Sequence, residues 1–262
     1  MPNAAKILVT FLLISSLMTG QVPPNVAAAL KRGAALVAAG RLAEARNVYE
    51  QALSSSPDDA DLLFGLGTVF FREHNWPKAI ENYRSSINAR PGTVKVLYYL
   101  AEAFFAEADA DRARQTIAIA ASLAPNDAQI CHKYGEYLAV NIENRKEGLS
   151  WMEKARRLDP RLARIDFDIA RTQFELTDFQ SAIANFDAAL KQDAGNGEAA
   201  FYLGESWANL GDWEKARDFY SYALAHRYEK GPVLYGLGSS GKHTGSWDEP
   251  GKRGMKPDSS TR

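Results

Sequence analysis

The sequence predicts an all-α chain, a solenoid of antiparallel helix hairpins in which each hairpin packs on the next. Three observations predict it. Small and large apolar residues recur with a period of about 34 residues from 26 to 230. Within each period, two stretches of helical spacing flank a short turn. Prolines then close four of the periods, at Pro57, Pro91, Pro125 and Pro160. The clearest period is 197–230. Leu203, Gly204 and Trp207 share the face of a first helix, Gly211-Asp212 turns the chain, and Ala216, Tyr220 and Ala223 share the face of a second. Small residues at Gly204, Ala216 and Ala223 let the two helices approach, and Leu203, Trp207 and Tyr220 fill the space beside them. A hairpin of this kind cannot bury its apolar face alone, so neighbours must stack.

Taken in order, the chain opens with a segment outside the repeats. Lys6 precedes the mainly apolar run 7–18, ILVTFLLISSLM, and Thr19-Gly20 precede a polar break at Gln21. One charge, a dozen mainly apolar residues and a small residue before the break predict a signal peptide over 1–20. The run is short of the roughly 20 residues that span a bilayer. Met18 at the third position before the cut departs from the small residue favoured there, and an uncleaved membrane anchor is the alternative. No cysteine follows the run, which excludes a lipoprotein anchor. Residues 21–25 form a linker that Pro23-Pro24 keep extended.

Six repeats follow, at 26–59, 60–93, 94–127, 128–162, 163–196 and 197–230. The fourth is one residue longer, and the turn at 140–146 is the expected place for it. Aspartates such as Asp111 and Asp178 suit the positive ends of second helices. Val233, Leu234, Leu237 and Gly238 begin a partial seventh repeat over 231–238, after which 239–262 has no apolar period and reads as a disordered tail.

Composition narrows the functional classes. The 262 residues are 46% hydrophobic and carry 31 basic and 32 acidic side chains, a formal net charge of -1. Nothing in that balance favours nucleic acid or an anionic membrane as partner. The single cysteine, Cys131, cannot form an intramolecular disulfide and reads as a buried, inert thiol. Residues 236–241, Gly-Leu-Gly-Ser-Ser-Gly, match a dinucleotide fingerprint and, with Lys242 and His243, nearly a phosphate loop. Both need a strand before the loop and a helix after it, and position 243 would have to be serine or threonine, so neither is expected to function. His74, His132, His226 and His243 lack metal-ligand spacing, and no nucleophile elbow or cysteine-histidine pair is present. No enzyme activity, cofactor or metal is expected.

The repeat positions carry a family resemblance. Positions 7 and 8 read Leu66-Gly67 and Leu203-Gly204, with partial forms at Arg32-Gly33, Leu100-Ala101, Tyr134-Gly135 and Ile169-Ala170. Position 20 reads Ala45, Ala79, Ala113, Gly148, Ala182 and Ala216, and position 24 reads Tyr49, Tyr83, Ile117, Met152, Phe186 and Tyr220. On these residues the chain resembles the tetratricopeptide repeat (TPR) family. The resemblance implies a right-handed superhelical solenoid whose first helices line a concave groove that binds an extended or helical peptide. Carried onto this sequence, the groove residues are Phe64, Phe71, Tyr98, Glu102, Phe105, His132, Glu136, Phe167, Arg171, Phe174, Phe201 and Glu205. The alternative for the rings is packing between hairpins. The basic clamp that some members use for a C-terminal carboxylate is missing, since Ala34 and Thr68 stand where asparagine would. The function implied is an exported scaffold that binds partner proteins or peptides through aromatic and acidic residues. Its rival is a membrane-anchored accessory module of a multi-protein or enzyme assembly.

Overall fold

The computed structural model describes residues 24–228 and 230–245, so the expected signal segment lies outside the described residues. Among those residues there are thirteen α-helices, one short 3-10 turn and no strand. The chain divides into two compact units, 1–125 and 126–262.

Unit 1 holds α1 (Pro24–Ala38), α2 (Leu42–Ser55), α3 (Ala60–Arg72), α4 (Trp76–Ala89), α5 (Val94–Ala106) and α6 (Ala110–Leu123). Unit 2 holds α7 (Ala128–Ala139), α8 (Arg145–Leu158), α9 (Ile165–Glu175), α10 (Phe179–Gln192), α11 (Gly197–Asn209), α12 (Trp213–Ala225) and α13 (Lys230–Thr244). Within each unit every helix packs on the one before it.

The turns inside five hairpins are built alike. The second residue after the first helix takes a left-handed backbone: Gly40, His74, Ala108, Thr177 and Gly211 all have positive φ. In each, the next N–H reaches back five residues, as Arg41 N to Leu36 O at 2.9 Å and Asp212 N to Trp207 O at 3.0 Å. This closes the helix by satisfying carbonyls that would otherwise lack a donor. The following residue then starts the second helix. Asn75, Asp109, Asp178 and Asp212 accept hydrogen bonds from the N–H groups of Lys78, Arg112, Ser181 and Lys215. Asp109 is the cap of α6, and Asp111 stands in its first turn, at the positive end as expected. The fourth hairpin departs from this scheme. A 3-10 turn at Ile142–Asn144 connects α7 and α8, capped by Asn141, whose side chain accepts from Glu143 N.

Packing between helices follows one rule at position 24. Tyr49 and Tyr220 lie on bare backbone: a Cβ added at Gly65 would stand 2.6 Å from the Tyr49 ring, and one at Gly204 or Gly236 2.8 or 2.7 Å from the Tyr220 ring. Where the next hairpin offers tyrosine instead of glycine, the two rings pack. Tyr83 meets Tyr99 at 6.2 Å, and Phe186 stacks on Tyr202 at 5.8 Å. The small residues Ala45, Ala79, Ala113, Ala182 and Ala216 are fully buried where the paired helices cross. Cys131 is likewise fully buried, and burial raises its thiol above the ordinary range.

The C-terminal end requires a correction. Helix α13 does not stop at 238 but continues to Thr244, so residues 239–244 are helical rather than disordered. Val233 and Ser240 are fully buried. Gly236 admits the Tyr220 ring, Ser240 donates to the Gly236 carbonyl at 2.9 Å, and the His243 ring stacks on Trp213 at 3.9 Å. The helix also disposes of the phosphate-loop lookalike. Residues 236–243 lie inside it, where backbone N–H groups point along the axis to carbonyls four residues back.

Candidate peptide-binding face

The first helices of unit 1 gather an aromatic cluster around Tyr99. Phe64 meets its ring edge-on at 5.4 Å, Phe71 at 6.3 Å and Tyr98 at 5.5 Å. Phe71 also packs on Trp76 at 5.1 Å, and the Lys95 ammonium lies 5.0 Å over Phe64. Phe64, Phe71 and Tyr98 remain half-buried, and Phe105 is 40% exposed. Such rings hold each other in edge-to-face geometry while keeping area for a ligand.

Unit 2 repeats the arrangement around Tyr202, with Phe167 at 6.4 Å, Phe174 at 5.4 Å, Phe186 at 5.8 Å and Phe201 at 5.4 Å. The occupancy differs. Phe167 is 1% exposed, packed on Phe186 and covered by the Arg164 guanidinium at 4.8 Å. It is a core residue with no face left for a ligand, which corrects its assignment to the groove. Phe174 and Phe201 stay half-buried, and Phe201 stacks on Tyr228 at 5.1 Å. The expected groove set omitted Tyr99 and Tyr202, the rings at both centres. Their signal was the adjacent aromatic pairs Tyr98-Tyr99 and Phe201-Tyr202, two of the places where an aromatic directly follows a groove position.

The polar candidates are mostly engaged within the chain. The Tyr220 hydroxyl donates to Glu205 at 2.6 Å; burial chiefly, with that bond, raises the phenol well above its ordinary value. Lys133 donates to Glu136 at 2.8 Å. His132 Nε2 stands 2.9 Å from Asp168, with the two side chains only 13% and 9% exposed. Glu102 is half-buried on α5. Arg171 lines a recess of about 210 Å³ together with Glu136 and Asp168. Beside α9, a partly buried polar chain runs from Gln192 and Arg156, both on Asp166, through Asn185 to Gln173. Among the described residues, no group of three or more His, Cys, Asp or Glu side chains is placed to hold a metal ion.

Comparison with known proteins agrees with this architecture. The family described as Tetratricopeptide repeat matches residues 30–92, 70–128 and 167–232. No curated protein matches the chain in sequence. Among solved structures, YrrB, described as a TPR protein with an unusual peptide-binding site, is 16% identical over 71% of this chain and 96% of its own, with a TM-score of 0.61. The pilF protein of Pseudomonas aeruginosa is 16% identical over 82% of this chain and 97% of its own, with a TM-score of 0.72. PilW, described as a widely conserved type IV pilus biogenesis factor, is 17% identical over 71% and 86%, with a TM-score of 0.64. At such identities the likeness shows the fold alone. The family matches span more than half of the sequence, and their hairpins are those the structure pairs; the chain belongs to the tetratricopeptide repeat family.

Proposed function

We propose that this chain is an exported, non-enzymatic scaffold that binds a peptide segment of a partner protein on the first-helix face of unit 1. The observation that carries this reading is the ring cluster on α3 and α5, with Phe64, Phe71 and Tyr98 half-buried and Phe105 40% exposed. Aromatic anchors fixed in place before binding are where interface energy concentrates, because little side-chain entropy remains to be lost. The peptide-binding site named for YrrB is a precedent on the same fold. Export is supported by Lys6 and the apolar run 7–18. No helix among the described residues is long and apolar enough to cross a membrane.

The test uses a partner captured from the source cell and titrated against Phe71→Ala, Tyr98→Ala and the exposed control Lys191→Ala. Each ring variant should weaken binding by about 2 kcal/mol, roughly thirtyfold. If both stay folded and bind as tightly as the control, the rings are packing only and the reading falls. A mature N-terminus at Gln21 in mass spectrometry would support export with cleavage, while an intact Met1 in membranes would favour the anchored accessory module.

A further inference from the structure

The contact between the fourth and fifth hairpins breaks the packing rule of its neighbours. Elsewhere within the units, a position-24 ring meets either glycine, as Tyr49 on Gly65 and Tyr220 on Gly236, or a tyrosine ring, as Tyr83 on Tyr99 and Phe186 on Tyr202. Here the corresponding residues are Met152 and Asp168. Without a ring, a recess of about 210 Å³ opens between α7, α8 and α9. Two of the helices that line it, α7 and α8, approach closely: a Cβ at Gly135 would stand 2.6 Å from the Gly148 carbonyl.

Charges around the recess are unequally satisfied. Glu136 has Lys133 at 2.8 Å, Asp168 has His132 at 2.9 Å and Arg164 at 3.7 Å, and Glu175 has Arg145 at 3.0 Å. Arg145 is further occupied by the Ala139 and Glu175 carbonyls at 3.2 and 3.4 Å, at the ends of α7 and α9. Arg171 lines the same recess and makes no ion pair or hydrogen bond among the described residues. Each of the three lining carboxylates thus already has a basic partner, and the lining group left unmatched is the Arg171 guanidinium, whose fork of donors suits a planar two-oxygen acceptor. Val140, 54% exposed, also lines the recess, and Ile142, 73% exposed, follows in the adjoining 3-10 turn.

We propose that this recess binds a carboxylate of a partner peptide through Arg171, next to an apolar residue that packs on Val140. The proposal rests on the reading of the chain as a peptide binder, but not on the ring cluster of unit 1. It assigns to the partner an acidic group that the acidic groove residues alone would have repelled.

The experiment is a selection of random dodecapeptides on the full chain, followed by titration of the strongest binder. An acidic residue at a fixed place is expected, with Glu→Gln there weakening binding about tenfold or more. Arg171→Ala should produce the same loss and make the Glu→Gln change inconsequential. Arg171→Lys should recover part of the affinity, since it keeps the charge and loses the fork. Melting curves of each variant report folding in parallel. Amidating the peptide C-terminus separates a terminal carboxylate from a side-chain one. Peptides that need Tyr98 but are indifferent to Arg171→Ala and Arg171→Glu overturn this proposal and leave the ring reading standing. Peptides that need Arg171 but tolerate Tyr98→Ala do the reverse. A phosphoserine peptide bound tenfold more tightly than its glutamate form would reassign the recess to phosphate, and a selection that enriches no peptide overturns both readings.

Discussion

At the scale of single residues, the turns and the buried phenols make opposite demands on stability. Gly40 and Gly211 occupy the left-handed turn position without a side chain, whereas Thr177 holds φ 63° with a β-branched one. A left-handed conformation costs a non-glycine residue roughly 1–2 kcal/mol, of which glycine recovers only part because it gains freedom when unfolded. Thr177→Gly should therefore stabilise the protein by about 1 kcal/mol, and Gly211→Thr should destabilise it by a similar amount. Urea titration of the two variants checks both signs. The phenols act through pH. Tyr83 and Tyr220 are 0% and 1% exposed, and burial is the main cause that raises both well above the ordinary tyrosine value. A group raised on folding lends stability that is complete below its unfolded pKa, about 10 for tyrosine, and is lost as pH rises toward the folded value. Stability should hold up to about pH 10 and fall beyond it, with part of the phenolate absorbance arriving only on unfolding. A full phenolate signal at pH 11 in a chain still folded by circular dichroism would contradict this.

Helices add a second level, because the same repeat position does different work depending on its neighbour. Gly236 and Gly238 both lie in α13, two residues apart. A Cβ at Gly236 would stand 2.7 Å from the Tyr220 ring, and one at Gly238 would meet nothing within 4 Å. Gly236→Ala should cost about 1–3 kcal/mol by forcing α13 off α12. Gly238→Ala should gain up to about 1 kcal/mol from helix propensity. Equal melting of the two variants would mean that α13 is not docked as described. The pair also explains what was legible in the sequence. The hairpins were, because Ala45, Ala79, Ala113, Ala182 and Ala216 recur where helices cross. The last six residues of α13 were not, because what docks this helix is missing side chains, and a run of glycine and serine has no apolar period to display. The ring positions were legible as positions only. Phe64 and Phe167 occupy the same one, yet Phe64 keeps open area while Arg164 and Tyr202 close over Phe167. The recess at Arg171 lay further from reach. The extra residue of the fourth repeat could be counted, but the cavity is lined by Met152 and Asp168 at the positions where other hairpins bring a ring onto glycine or tyrosine.

Across the whole molecule, stability in a stacked-hairpin chain is a sum of hairpin terms and nearest-neighbour terms, so damage at one end should stay near that end. Helix α13 is the last described element and tests this. It covers the cluster of Ala200, Ala216, Tyr220, Ala223 and Val233, with Leu237 packed against it. A chain ending at 228 would lose the fully buried Val233 and return the Tyr220 ring, now 1% exposed, to water on one side. Burying one large apolar side chain is worth about 1.5–3 kcal/mol, so the combined loss should reach roughly 3 kcal/mol or more relative to a chain ending at 245. The expected pattern is local. Hydrogen exchange should accelerate in α11 and α12, which have lost their outer neighbour, and keep its protection in α1 to α4, whose contacts lie within unit 1. Tyrosine fluorescence should report the newly wetted Tyr220 in the shorter chain. Should the shorter chain lose protection equally in α1 to α4 and α11 to α12, unfolding is globally cooperative and the nearest-neighbour account is wrong. Should neither region change, α13 contributes nothing to the cluster it covers.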